Sequence, residues 1–397
     1  MVNHIKLLLS TFKGFLFFAA FIFIAIFTIE NINGRFWLHD FKVYYSASSA
    51  LLNGAKVYGV PFGLETGFFK YSPLVLFIFV PYTFFSFAVA SVIHFLVISI
   101  CTVCTIIVIQ KIIENYFPNN TTHRKNTLLS ISLICVAIHL VRELHLGNVN
   151  IILLLILTIG LLLLIKSRLL MAGIFIGFAM VVKPYFLLLL IPLLFHKKTK
   201  AFYGIAISWF ISFLIPFLFL GFTKSVNLHK EWIEAMQQHS TYLTSNHTIQ
   251  SLFQTYIYPY SINIAIVVGI VFIFYILTFI LRHKNIIETE LSKTKTLIID
   301  YLVFIAIIPN LVITDTEHFL LSLPLIMLGL NFLFIKSSYI KLFIFIILIF
   351  FFGANSSDFL GNELSDRVEV LGLLGISNLG IIFYAIYIYI FEKKVFN

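Results

Sequence analysis

The sequence predicts an all-α, polytopic membrane protein of about twelve transmembrane helices, and three observations carry that prediction. Hydrophobic residues make up 60% of the 397 positions and charged residues only 11%, against about a quarter in an ordinary soluble domain. Mean hydropathy is +1.02. The apolar residues fall in stretches too long for strands, which excludes an outer-membrane barrel with its segments of about 10 alternating residues.

Taken in order, the apolar segments span 14 to 29, 73 to 110, 128 to 141, 149 to 165, 169 to 182, 185 to 195, 201 to 221, 262 to 281, 297 to 313, 319 to 335, 340 to 353 and 370 to 391. The first follows Lys6 and Lys13 and has no small-residue cleavage site behind it, so it is expected to stay in the protein as a span rather than leave as a signal peptide. Segment 73 to 110 would make a helix of about 57 Å against a hydrocarbon core of about 30 Å; Pro73 and Pro81 therefore predict a short interfacial or re-entrant piece before the true span. Segments 169 to 182 and 185 to 195 are each too short to cross upright. Merging them would send the basic run 196 to 200 to the wrong side, so two short helices hinged at Lys183-Pro184 are expected, with Lys183 in a recess.

With both termini cytoplasmic and each segment crossing once, 18 of the 27 Lys and Arg lie inside, as the positive-inside rule requires. Twelve of the 17 acids, Glu30, Asp40, Glu65 and Glu143 among them, lie outside, so the chemistry is expected to face outward. The long outer segments are about 30 to 72, 222 to 261 and 354 to 369. No repeat, linker or low-complexity tail interrupts residues 1 to 397, which predicts a single integral membrane domain. The net charge of +10 is accounted for by topology and calls for no nucleic acid.

Candidate site residues cluster in the outer segments. After Asp40 the stretch FKVYYSASSALLNG suits an interfacial helix stopped by glycine. A carboxylate at its start can take a proton from a hydroxyl, or can simply cap the helix. Residues 139 to 150, HLVRELHLGNVN, place Arg142, Glu143, His145, Asn148 and Asn150 between two spans. They form either a solvated turn with Arg142 paired to Glu143, or a site in which Arg142 and the amides bind phosphate or sugar. Lys183 can snorkel or bind an anion. Asn246 and His247 resemble sugar contacts and equally an ordinary loop, and His318 can hydrogen-bond a leaving phosphate or serve the structure alone. Cys101, Cys104 and Cys135 sit in apolar runs and read as packing thiols. Phosphate-loop, zinc-protease and serine-hydrolase signatures are missing. No cofactor is expected, and Asp315-Thr-Glu317 is only a loose relative of an acidic metal motif.

The outer acid after the first span, DFKVYYSASSALLNGAKVY followed by FKYSPL with its Tyr71, the GNVN turn, the AGIFIGFAMVVKPYFLLLLIPLL hairpin and NHTIQSLF occur in an order that resembles glycosyltransferase family 87. The resemblance covers most of residues 30 to 335. It implies a C-type membrane glycosyltransferase fold and a polyprenyl-phosphate sugar donor, with mannose as the sugar. The acceptor would be a glycan or glycolipid, and the lipid bilayer would carry the donor. Asp40 matches the family's outer-loop acid and His318 a histidine of the donor-phosphate region. Where the family has Gly-Gln-x-Asn, this chain has Gly147-Asn148-Val149-Asn150, keeping the amide on a shorter side chain. A multi-pass protein of the cell membrane, in a bacterial inner membrane, is the implied location.

The chemistry fits that resemblance. Displacing phosphate from an anomeric carbon needs a base on the acceptor and fixed cations or donors on the oxygen that gains charge. A single displacement with Asp40 as base inverts the anomeric centre. A lipid-linked glycan polymerase or ligase would instead consume a preassembled diphosphate. A secondary transporter or flippase would place its ionisable groups near the midplane and show pseudo-symmetric repeats.

Overall fold

The computed structural model describes residues 11–36, 38–63, 67–117, 122–239, 246–257, 263–285, 289–312, 315–335, 338–354 and 356–391. Lys6 and Glu65, counted above, lie outside them. Every regular element among the described residues is helical, and the only β pairing among them is a single antiparallel bridge between Pro61 and Phe68.

The chain opens with α1 (Phe12–Ile32) and α2 (His39–Leu52), then α3 (Pro73–Phe79), a 3-10 turn (Val80–Phe84) and α4 (Phe87–Tyr116). Next come α5 (Thr122–Cys135), α6 (Ala137–Leu146), α7 (Asn150–Ile165) and α8 (Leu169–Val182). A second 3-10 turn (Pro184–Leu189) leads into α9 (Leu190–Phe195), α10 (Thr199–Leu220), α11 (Phe222–His239), α12 (Ile249–Tyr256) and α13 (Ile264–Asn285). The chain continues through α14 (Glu290–Ala306), α15 (Ile308–Leu311), a third 3-10 turn (Thr316–Ser322), α16 (Leu323–Ile335) and α17 (Tyr339–Gly353). It ends with α18 (Ser357–Leu360), α19 (Asn362–Val370) and α20 (Leu373–Phe391).

Five of these are long and apolar enough to cross a membrane: α1, α4, α10, the 3-10 turn joined to α16, and α20. A sixth results if α5 and α6, bent by 63° against each other, count as one broken span. Apolar helices of 10–17 residues occupy Pro73–Phe84, Asn150–Ile165, Leu169–Val182, Pro184–Phe195, Ile264–Ile280 and Tyr339–Gly353. A 14-residue helix such as α8 is about 21 Å long, short of a hydrocarbon core of about 30 Å. The twelve expected segments thus all appear as helix, but only some have full crossing length. The expected short piece before α4 is present as α3 and its 3-10 extension, starting at Pro73 and breaking at Phe85. Segment 297 to 313 is split at Ile307, because Pro309 has no N–H to continue the ladder and instead sits in the first turn of α15. The three cysteines are free thiols, Cys135 buried and the other two half-buried.

Two compact units emerge: one contains residues 1–22, 106–140 and 244–397, the other 23–105 and 141–243. They interleave in sequence. In the second unit, α8 and α10 cross with their backbones touching. A Cβ on Gly173 would lie 1.9 Å from the Ala201 carbonyl oxygen, and one on Gly204 would lie 2.1 Å from that of Leu170. Small residues allow this approach between helices that share no hydrophobic driving force in lipid. The same unit seats α2 on α3, where Ser48 Oγ donates to the Leu76 carbonyl at 2.9 Å.

The first unit is held by an amide network. Asn378 Nδ2 donates to Asn310 Oδ1 (2.6 Å) and to the Ala306 carbonyl (2.8 Å), Ser322 Oγ donates to Asn378 Oδ1, and Asn310 Nδ2 donates to the His247 carbonyl at 3.0 Å. All three side chains are fully buried, where such groups must find partners.

Candidate active site

Asp40 lies in the first turn of α2, not at its cap. The cap position is Leu38, buried, left-handed (φ 42°) and without a side-chain capping bond. A bulky residue at positive φ is an outlier that its surroundings must enforce, and here it turns the chain directly into the acid-bearing helix. The other end of α2 is closed as expected, with Gly54 at φ 67°.

The partner of Asp40 comes from the turn between α6 and α7. Gly147 ends α6 at φ 68°, and Asn148 follows with its Nδ2 donating to Asp40 Oδ2 at 2.8 Å. The Asn148 oxygen accepts from the Val149 N–H (2.7 Å), Lys183 Nζ (3.3 Å) and the Tyr44 hydroxyl (3.4 Å). This polarity is set by its surroundings, since a flipped amide would turn its NH2 group on the ammonium and its oxygen on the carboxylate. The shorter asparagine therefore reaches both the acid and the cation.

Lys183 sits where the hinge was expected. α8 stops at Val182, Lys183 is extended and Pro184 opens the next turn. Its side chain is 5% exposed. Besides Asn148, the ammonium donates to Asn150 Oδ1 at 2.6 Å and stands 5.7 Å from the Tyr71 ring and 5.9 Å from the Tyr185 ring, within cation–π range. Tyr71 is fixed by two phenols: Tyr44, whose hydroxyl is 3.0 Å from its own, and Tyr58, which donates to its carbonyl at 2.8 Å. Burial, with Tyr71 and Asp40 close by, pushes the Tyr44 phenol well above the ordinary tyrosine range, so it serves as a neutral donor.

Asp40, Asn148, Asn150, Lys183 and Tyr71 are thus brought together. Arg142 is exposed, one residue before Glu143, which is fully buried and accepts from Asn150 Nδ2 at 2.8 Å. His145 turns to Glu30 instead, Nδ1 to Oε2 at 2.8 Å. Asn246 and His318 belong to the first unit. There Asn246 is exposed, while nearly buried His318 places Nδ1 3.2 Å from the Asp315 carbonyl and 3.3 Å from Glu317 Oε1. Among the described residues no three His, Cys, Asp or Glu side chains cluster as a metal site.

Sequence reasoning missed Tyr44 and gave Glu143 only the part of a partner for Arg142; it also missed His94. The last is fully buried in α4, stacked on Phe41 at 4.4 Å and 13°, with Nε2 3.0 Å from the Gly147 carbonyl oxygen. A lone histidine in an apolar helix was the available signal. Near Lys183 and Tyr71 in sequence, an apolar cleft of about 370 Å³ is lined by Leu74, Ile156, Ile174, Phe175, Phe178 and Ile211, among others.

An acid steered by an amide whose oxygen faces a recessed cation can accept a proton at one end and stabilise a growing anion at the other. The helices around it, several of crossing length, are those of a helical membrane protein. The profile of glycosyltransferase family 87 matches residues 68–297, more than half of the chain, and the chain belongs to that family: it is a membrane glycosyltransferase. Tyr71, Glu143, Asn148, Asn150 and Lys183 fall inside the matched stretch, whereas Asp40 precedes it. No curated protein matches the chain.

Proposed function

We propose that the protein transfers a hexose, mannose in the first instance, from a polyprenyl-phosphate donor to a hydroxyl of a glycan or glycolipid acceptor on the outer face of the cell membrane, a bacterial inner membrane. Asp40 is the base. The acceptor O–H proton passes to its carboxylate, the acceptor oxygen bonds to the anomeric carbon, and the bond from that carbon to the phosphate oxygen breaks, releasing polyprenyl phosphate. A single displacement inverts the centre, so a β-linked donor gives an α product.

The observation that carries this reading is the Asp40–Asn148–Lys183 row, with its 2.8 and 3.3 Å bonds. The leaving phosphomonoester is more negative than the diester donor, so a fixed ammonium favours the transition state over the ground state. Tyr71 orients that ammonium. The apolar cleft suits a hydrocarbon tail. Arg142 and His145 are assigned to the rim of the donor phosphate and sugar, Asn150 serves donor binding by holding the Lys183 ammonium, and Asn246 and His318 keep their sugar- and phosphate-binding roles on the resemblance alone. In this reading the short apolar helices also lie within the bilayer, giving about twelve membrane segments in one membrane domain with both termini cytoplasmic.

The test is transfer from radiolabelled mannosyl and glucosyl lipid phosphates by the Asp40→Asn variant. A positioned base contributes about a hundred- to ten-thousand-fold, and a loss of that size in a normally folded variant is expected. Undiminished transfer would remove Asp40 from the mechanism, and transfer from lipid diphosphates alone would remove the donor class.

A further inference from the structure

Glu143 organises the turn that carries both amides. Its main-chain carbonyl accepts from the Gly147 N–H at 2.9 Å and the Asn148 N–H at 3.2 Å. Its carboxylate accepts from the Ile151 N–H at 3.0 Å through Oε1 and from Asn150 Nδ2 at 2.8 Å through Oε2. Glu143 and Asn150 are both fully buried.

An asparagine amide has one accepting and one donating end. With its NH2 group committed to Glu143, Asn150 has only its oxygen to offer Lys183, and it does so at 2.6 Å. A carboxylate, which accepts at both oxygens, is the group at position 143 that can take the Ile151 N–H and the Asn150 NH2 together. A glutamine there would have to turn its own NH2 on one of them, and the relief available to Asn150 is to flip and present NH2 to the ammonium.

We propose that Glu143 is a positioning residue for donor recognition: it fixes the polarity of Asn150 and thereby the place of the Lys183 ammonium that meets the donor phosphate. The proposal rests on Lys183 binding that phosphate. It gives Glu143 a role beyond the sequence-based pairing with Arg142.

The experiment is steady-state transfer by full-length protein in proteoliposomes, varying a polyprenyl-phosphate mannose donor and the acceptor separately. Hydrogen bonds to charged groups are worth enough to change affinity by about ten- to a hundredfold, so Glu143→Gln is expected to raise the donor KM at least about tenfold and leave the acceptor KM unchanged. The double variant Glu143→Gln with Asn150→Asp restores every polarity: Ile151 N–H to the glutamine oxygen, glutamine NH2 to the new carboxylate, and Lys183 to that carboxylate. Its donor KM should return to near the wild-type value. A purely structural role would lower kcat or yield without moving the donor KM, and that result overturns the proposal, as does a double variant no better than the single. If Glu143→Gln does not fold, the double variant decides alone: folded with near-normal donor KM supports the proposal, and any other result overturns it. Lys183→Gln, run in parallel, separates the two readings. If it raises the donor KM while Glu143→Gln does not, the positioning role fails alone. If neither moves it, Lys183 is not the phosphate ligand.

Discussion

Gly147 is the position where a single methyl group should most directly disturb the Asp40–Asn148 contact. Its φ of 68° costs an L residue about 1–2 kcal/mol. A Cβ there would lie 2.8 Å from Phe41 Cβ and 3.2 Å from Leu38 Cβ, and overpacking of that kind adds about 1–3 kcal/mol. Gly147→Ala should therefore destabilise the protein by about 2–5 kcal/mol. Carbon atoms rest about 3.5–4.0 Å apart, so relieving the 2.8 Å contact parts α2 from the turn by about 0.7 Å. The Asn148–Asp40 bond spans those two elements at 2.8 Å, and the same displacement takes it past the limit of about 3.2 Å. A bond to a charged acceptor is worth about 1.5–3 kcal/mol, which puts the loss of transfer at about ten- to a hundredfold. The assay pairs thermal unfolding in detergent with radiolabelled transfer, using Gly54→Ala as control. Gly54 has φ 67° and open space around its Cβ direction, so that variant carries the backbone strain without the collision. If Gly147→Ala is as stable and active as Gly54→Ala, the contact between the turn and α2 does not matter as argued.

Two further outcomes follow from the same neighbourhood. His94→Phe keeps a ring against Phe41 but abandons the Gly147 carbonyl, now 3.0 Å from Nε2; leaving that oxygen unmet costs about 1–3 kcal/mol, to be read as a lower unfolding temperature and kcat, with His94→Gln recovering part of both. The phenols of Tyr44 and Tyr58 are held well above the ordinary tyrosine range by burial, so above about pH 10 the unfolded chain sheds protons the folded protein keeps, and stability falls as pH rises. An alkaline unfolding series should show that fall, and it should be shallower in Tyr44→Phe.

The parts of the site legible in the sequence were those with a local cause. Gly54 stopping the helix after Asp40, the proline after Lys183, and two apolar runs each too short to cross all leave their mark within a few residues. Polar residues cost free energy beside lipid, which drew attention to residues 142 to 150 and to Lys183. The partners within that group were not legible. Tyr44 meets Asn148 across 104 positions, and no periodic pattern encodes such a meeting. Glu143 and Arg142 are adjacent opposite charges, yet one is fully buried in the turn and the other exposed, since helix geometry sends neighbours to different faces. The break between α5 and α6 is bent by 63° with neither proline nor glycine to announce it. Crossing lengths were overcounted for a simpler reason: apolar composition marks what lipid or core accepts, and α7 and α8 satisfy it at less than full crossing length.

The wiring of Lys183 also has an order in time. The carbonyl oxygens that receive its ammonium stand 35 and 33 positions earlier in the chain, and Glu143 earlier still. As the polypeptide leaves the ribosome and enters the bilayer, the residues of the cradle are therefore synthesised before the charge, so that a host can be at hand when the lysine arrives. Circular permutants that reverse this sequence, releasing the hairpin before the turn, should insert poorly even though their finished contacts would be identical.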